Sequence, residues 1–252
     1  MDTQAYLNRI NYSGPTIPNA ETLRLLQVAH LQTIPFENLS IHAGEPIVLN
    51  DDALFRKIVD RRRGGFCYEL NGLFAALLRD LGFAVEMISA QVAKADGTFG
   101  PDFDHMALVV TLAERWLIDV GFGDSFLEPL RLNEADEQVQ GQRAFRISSE
   151  GDYLVLERRS NENQSERQYR FTLTPYQYPD YVARCRYHET SQQSHFTQER
   201  ICSRATPEGR ISLSGLRFIT TDAGGERQER ILSNEKEYAR TLRDHFGIVM
   251  AT

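Results

Sequence analysis

The chain has 252 residues, 41% hydrophobic and 25% charged, with a formal net charge of −7. This composition excludes a disordered tail, a fibrous repeat and a small disulfide scaffold, and the negative charge argues against a general nucleic-acid binder and an anionic membrane surface. Its longest apolar run, residues 73–78, is far short of the roughly 20 residues that cross a bilayer, and no basic-then-apolar leader opens the chain, so a cytoplasmic protein is expected.

The first third reads as helical. Asn19 is placed to cap a helix carrying Leu23, Leu26 and His30 at i, i+3 and i+7, closed by Ile34-Pro35. A second helix is predicted from an Asn50 cap through Ala53, Leu54, Ile58 and Val59, stopped by Gly64-Gly65. A third begins near Cys67 and carries Leu70, Leu73, Phe74, Leu77 and Leu78, with Gly82 as its stop. Beyond residue 83 the pattern turns β-branched and apolar, predicting strands at 85–92, 106–112, 116–120, 144–148, 153–157 and 169–173. Residues 161–166 read as a solvated turn. A helix over 179–187 bridges onward to strands at 210–213 and 216–221, a Gly224-Gly225 turn and a last helix over 234–246. Three units follow, 1–83, 84–187 and 188–252, the second an antiparallel sheet or small barrel.

The densest chemical signal is Arg61-Arg62-Arg63-Gly64-Gly65-Phe66-Cys67-Tyr68-Glu69-Leu70-Asn71-Gly72. It sets a cysteine at the first turn of a helix, where unpaired N–H groups carry partial positive charge and favour a thiolate. Buried as a small apolar residue, the same cysteine would be inert; Cys185 and Cys202 lack any comparable context, and all three read as reduced thiols. A nucleophilic cysteine needs a base. His105 stands where a polar loop gives way to a strand, and the next strand carries one acid, Asp119, in an apolar run. A lone buried carboxylate is costly unless paired, and a histidine on the neighbouring strand would pair it. Strand geometry makes this conditional: a three-residue loop, with 111 opposite 115, puts both on one face, whereas a two-residue loop puts them on opposite faces.

The segment 62–72 resembles the nucleophile motif of the arylamine N-acetyltransferases. Ile34-Pro35-Phe36-Glu37-Asn38-Leu39 resembles their other N-terminal signature, and Asp119-Val120-Gly121-Phe122-Gly123 the segment carrying their triad acid. The spacings of 38 residues from Cys67 to His105 and 14 from His105 to Asp119 fit that family, and the likeness spans nearly the whole chain. The resemblance implies an α+β fold with a cysteine-protease or transglutaminase-like core: a helical bundle, a central antiparallel β-barrel, an interdomain helix and a C-terminal α/β lid. It implies ping-pong acetyl transfer from acetyl-CoA to an aromatic amine or hydrazine, with Cys67 the acyl acceptor, His105 the base and Asp119 its orienter. It also implies that Glu37 and Arg63 pair beneath the site, and that Phe36, Val92 and Phe196 line the amine pocket. Two departures bear on substrate choice: the chain stops soon after Gly247-Ile248, and 185–196 matches only in Ser194-His195-Phe196.

The chemistry fits independently. A thioester donor suits a thiolate, because one thioester is exchanged for another, and anilines and hydrazines are neutral at pH 7 where alkyl amines are protonated. Coenzyme A carries several phosphate charges. The Gly121-Phe122-Gly123 turn offers N–H groups for them, although it equally reads as a tight turn ending a strand, and no Gly-Lys-Ser/Thr follows to make a P-loop. No cysteine–histidine cluster has zinc spacing, so neither a metal nor a prosthetic group is expected; a homodimer stays open. The competing readings are a cysteine hydrolase or transglutaminase-like enzyme, which shares the Cys, His, Asp order, and an amide synthase of the same fold.

Overall fold

The computed structural model describes residues 1–159 and 165–250. The N-terminal helices are α1 (Thr3–Arg9), α2 (Ala20–Thr33), α3 (Leu39–His42), α4 (Asp51–Phe55) and α5 (Cys67–Asp80), with the short strand β1 (Phe36–Glu37) between α2 and α3. Asn19 Oδ1 accepts from Thr22 N at 2.8 Å and Asn50 Oδ1 from Ala53 N at 2.8 Å, so both predicted caps do their work. At the end of α5, Gly82 takes φ +89°, letting its N–H reach Arg79 O and that of Phe83 reach Leu78 O.

The second helix ends differently from its sequence pattern. After α4 the chain passes into a π-helical turn, Arg56–Asp60, and reverses at Arg62, whose φ is +51°. Buried Arg9 of α1 donates to the carbonyls of Ile58, Arg62 and Arg63 at this reversal. The glycines serve close approach instead: a Cβ at Gly64 would lie 1.9 Å from Pro35 O.

An eight-stranded antiparallel sheet follows. It comprises β2 (Ala84–Val92), β3 (His105–Thr111), β4 (Arg115–Ile118), β5 (Leu130–Arg131), β6 (Gln138–Gln140), β7 (Arg143–Glu150), β8 (Tyr153–Arg159) and β9 (Ser165–Tyr176). Their order, β5-β4-β3-β2-β9-β8-β7-β6, curls into a nearly closed barrel. Two glutamine side chains bridge the remaining seam, each acting as a peptide group would. Gln140 Oε1 accepts from the N–H groups of Leu127 and Glu128, and its Nε2 donates to Glu128 O. Gln138 does the same with Arg131 N and O. Ile88, Ala90, Ala107, Val109, Leu117, Phe145, Leu156 and Phe171 fill the interior, while Met106, Leu108 and Val110 on the outer face of β3 pack against α5. Of the solvated turn expected at 161–166, residues 161–164 lie outside the described residues, and Ser165 and Glu166 open β9.

Helix α6 (Tyr178–Thr190) leads to the short α7 (His195–Gln198) and a second sheet of β10 (Ile201–Thr206), β11 (Gly209–Ser214), β12 (Arg217–Asp222) and β13 (Arg227–Ile231), with α8 (Glu235–Phe246) behind it. The sheet order is β1-β10-β11-β12-β13, so its first strand comes from the N-terminal helical segment. Asn38 reinforces that join: its amide donates to Phe196 O and Glu199 O and accepts from Ile201 N. Strands β10 and β13 escape the sequence pattern because neither alternates; β13 is exposed along its whole length. Among the described residues no helix is long and apolar enough to cross a membrane.

Candidate active site

The start of α5 is fixed from beneath. Glu69 Oε2 accepts from Phe66 N at 3.2 Å, and its other oxygen takes Lys57 Nζ at 2.6 Å. Burial pushes the Glu69 carboxyl up, against the pull of Lys57. Cys67, the first residue of the helix, is buried. The β3–β4 hairpin has Thr111 opposite Arg115, which is the three-residue loop that sets His105 and Asp119 on one face. That face is the barrel interior, shared with Ala107, Val109 and Leu117, whereas α5 lies against the outer face. Cys67 therefore meets the pair over the barrel rim.

His105 Nε2 and Asp119 Oδ2 are 2.7 Å apart. Burial alone would push the imidazole down, but the Asp119 carboxylate overrides it and, with a smaller contribution from the adjacent Cys67 sulfur, raises the pKa to about 10. Asp119 receives three further donors: Tyr169 Oη on Oδ2 at 3.1 Å, and Asn71 Nδ2 and Gly121 N on Oδ1, each at 2.9 Å. Asn71 also donates to Met106 O and accepts from Val120 N, so one helix side chain ties the two strands to α5. Gly121 passes so close that a Cβ would lie 2.7 Å from Cys67 Cα and from Asn71 Nδ2. The other two cysteines have no such setting: both are buried, and burial pushes their thiols up.

The aromatic residues form two groups. Phe122 stands edge-on to the His105 ring, centroids 5.2 Å apart, with Tyr169 at the same distance. Phe196 lies 6.1 Å from Phe36 and 5.6 Å from Phe66, and His188 borders it at 5.2 Å. Gly123, at φ +93°, brings the chain against the Phe36 ring. Val92 lies opposite Tyr169 in the β2–β9 pair, two residues along β2 from Ala90, which lies opposite His105 of β3. Glu37 and Arg63 form a buried ion pair at 2.9 Å, and Glu37 Oε2 also accepts from Leu39 N at 2.6 Å. Sequence reasoning missed Asn71 and Tyr169. Asn71 had a signal, lying one helical turn from Cys67 on the same face; Tyr169 had none, because a distant strand delivers it.

Comparison with known proteins identifies the family. A family model described as N-acetyltransferase matches residues 19–252. An arylamine N-acetyltransferase of Escherichia coli (strain K12) is 34% identical over 246 residues, covering 96% of this chain and 87% of the relative. Proansamycin X synthase of Amycolatopsis mediterranei (strain S699) is 34% identical over 247 residues, 94% of each chain. The solved structure of Mycobacterium marinum arylamine N-acetyltransferase in complex with CoA matches with a TM-score of 0.91 at 34% identity, over 98% of this chain and 93% of that one. The likeness takes in the helices, the barrel and the second sheet alike, and at this identity over nearly the full length it leaves one conclusion: the chain belongs to the arylamine N-acetyltransferase family.

Proposed function

We propose that the protein transfers an acetyl group from acetyl-CoA to an arylamine or arylhydrazine through an acetyl-Cys67 thioester. The observation that carries this reading is the His105–Asp119 pair meeting Cys67 at the start of α5. With its pKa near 10, His105 is an imidazolium at neutral pH and supplies the counter-charge for a Cys67 thiolate. The thiolate attacks the acetyl carbonyl; the tetrahedral adduct collapses, the bond to the CoA sulfur breaks, and that sulfur leaves with the His105 proton. Neutral His105 then accepts the proton of the amine nitrogen as the new C–N bond forms and Cys67 departs as thiolate, which restores the starting ion pair. The Cys67 N–H at the helix start makes no hydrogen bond among the described residues and is free to face the developing oxyanion.

Phe36, Phe66 and Phe196 supply the apolar wall for an aromatic acceptor, while Glu37–Arg63 and Lys57–Glu69 hold the segments beneath it. The division at about residues 83 and 187 assigns the nucleophile to the helical unit and His105 and Asp119 to the barrel. Similarity to a protein named as a synthase favours a second reading, an amide synthase on the same fold. One experiment separates the two. Mixed with acetyl-CoA and no amine, the protein should gain one acetyl group by intact mass, located on Cys67, and Cys67→Ser should not. Acetylation persisting at the same rate in Cys67→Ser would remove the covalent mechanism; refusal of acetyl-CoA by the folded wild type would favour the synthase.

A further inference from the structure

The second sheet ends in an open edge. Strand β13 pairs with β12 on one side, and among the described residues no strand covers its other side; all five of its residues are exposed. The ladder fixes which backbone groups that edge presents. Leu232 N donates to Leu216 O and Asp222 N donates to Glu226 O, so the even-numbered residues of β13 turn their N–H and C=O groups to β12. Those of Arg227, Glu229 and Ile231 therefore point outward. An uncovered row of this kind is a template for another strand, and charged side chains commonly blunt it. Here the charges are ordered: read backwards about Gln228, the segment Glu226-Arg227-Gln228-Glu229-Arg230 has the opposite sign at every charged position.

We propose that β13 pairs antiparallel with β13 of a second copy of this chain, about a two-fold axis through Gln228, joining the two five-stranded sheets into one. Two requirements select that register. Hydrogen-bonded pairs must come from outward-facing residues of both copies, and an axis on Gln228 sets Arg227 opposite the partner's Glu229 as such a pair. An axis half a residue away would set outward-facing groups against inward-facing ones. The charges must also match: an axis on Arg227, Glu229 or Arg230 would set like charges directly opposite. On Gln228, Glu226 lies opposite the partner's Arg230, and the symmetry repeats both pairs. The partners these side chains already have are exposed and weakly held, Arg227 Nη2 lying 3.0 Å from Glu229 Oε2 and Arg230 Nη1 3.0 Å from Glu237 Oε1. A second copy extends these into networks and breaks no buried pair. Ile231, 64% exposed, falls opposite the partner's Gly225, where even an added Cβ would meet nothing within 4 Å. The contact uses β13 of both copies and so stops at the dimer. Strand β1, which carries Phe36, lies at the opposite edge of the sheet, so the pairing leaves acetyl transfer untouched.

Sedimentation equilibrium of the full chain over a range of concentrations tests the pairing. Wild type should show a monomer–dimer equilibrium that weakens as salt is added. Arg227→Glu and Glu229→Arg each set like charges across the axis and should weaken association by about tenfold or more. Both side chains are exposed, so each variant should keep the wild-type circular dichroism and the wild-type rate of Cys67 acetylation. Mixed one to one, each variant supplies the charge that the other lacks. The mixture should therefore associate about as well as wild type although neither variant does so alone, and the double variant R227E/E229R should recover association by itself. Three results would overturn the proposal: a wild type that stays monomeric up to roughly 1 mM, association that both single reversals leave intact, and a mixture no better associated than its components. Assembly of wild type that grows past the dimer would overturn it too, because the two-fold pairing closes on itself.

Discussion

His105 Nε2 and Asp119 Oδ2 lie 2.7 Å apart with both side chains excluded from solvent. That contact leaves Nδ1 as the ring nitrogen able to serve the Cys67 sulfur, and it makes the imidazole a cation in a place where burial alone would make it neutral.

Replacing the acid should therefore disable the base. Asp119→Asn keeps the shape but removes the charge and favours the wrong imidazole tautomer. Single-turnover acetylation should fall by about three to four orders of magnitude, with slower iodoacetamide labelling of Cys67 at pH 7. Tyr169→Phe removes one of the four donors to Asp119 and should cost no more than about tenfold. Unchanged labelling and turnover in Asp119→Asn would reduce Asp119 to a strand-end residue.

The same contact predicts how stability depends on pH. The His105 pKa rises from an ordinary 6.5 to about 10 on folding, so the folded state binds a proton that the unfolded state releases between those values. This contribution is fully present below about pH 6.5 and is lost as pH climbs through about 10. The Tm advantage of wild type over His105→Asn should shrink steadily across that window. A difference that stays flat from pH 6 to 10 would refute the charged pair.

Truncating the aromatic wall should separate the two half-reactions. Phe36→Ala or Phe196→Ala should slow decay of the acetyl-enzyme on adding an aniline by about one to two orders of magnitude, equivalent to roughly 1.4–3 kcal/mol of lost ring contact. CoA release without amine should change little. If both steps fall together in a folded variant, the phenylalanines support the nucleophile and the acceptor pocket lies elsewhere.

Gly121→Ala tests the close approach of the turn to Cys67. Its new methyl would lie 2.7 Å from both Cys67 Cα and Asn71 Nδ2, where backbone and a fully used amide have nowhere to move. The expected loss is about 1–3 kcal/mol of stability, read by denaturant titration, with Cys67 acetylation falling at least tenfold. A variant acetylated at the wild-type rate would show that Gly121 is needed only for its turn.

Much of this was legible along the chain, because the determining interactions are local. Asn19 and Asn50 cap their helices through donors three residues away, Gly82 ends α5 within one turn, and the spacing of Leu70, Leu73, Leu77 and Leu78 marks α5 as a helix, although the fold buries it on every side from Cys67 to Leu78. The π-helical turn was not legible: Arg9, some 50 residues earlier in the chain, meets the carbonyls where the helix reverses. Strands β10 and β13 were hidden for a related reason, since their residues pair into a sheet without a buried alternating face of their own.

The sequence by itself determined which residues are candidates for the chemistry: a cysteine behind two glycines, a histidine at a strand start, and one acid in an apolar strand. It also narrowed their geometry to two hairpin registers of opposite consequence. Only the tertiary structure chose between them, by pairing Thr111 with Arg115. Only it brought Tyr169 and Asn71 onto Asp119, and drew Arg143, Arg158 and Arg210 from three strands around Asp124. The physical reason is one of range. Caps, turns and helical faces depend on neighbours within a few residues, whereas the protonation of His105 and the charge around Asp124 depend on groups that only the closing of the barrel and the docking of the second sheet bring within hydrogen-bond distance.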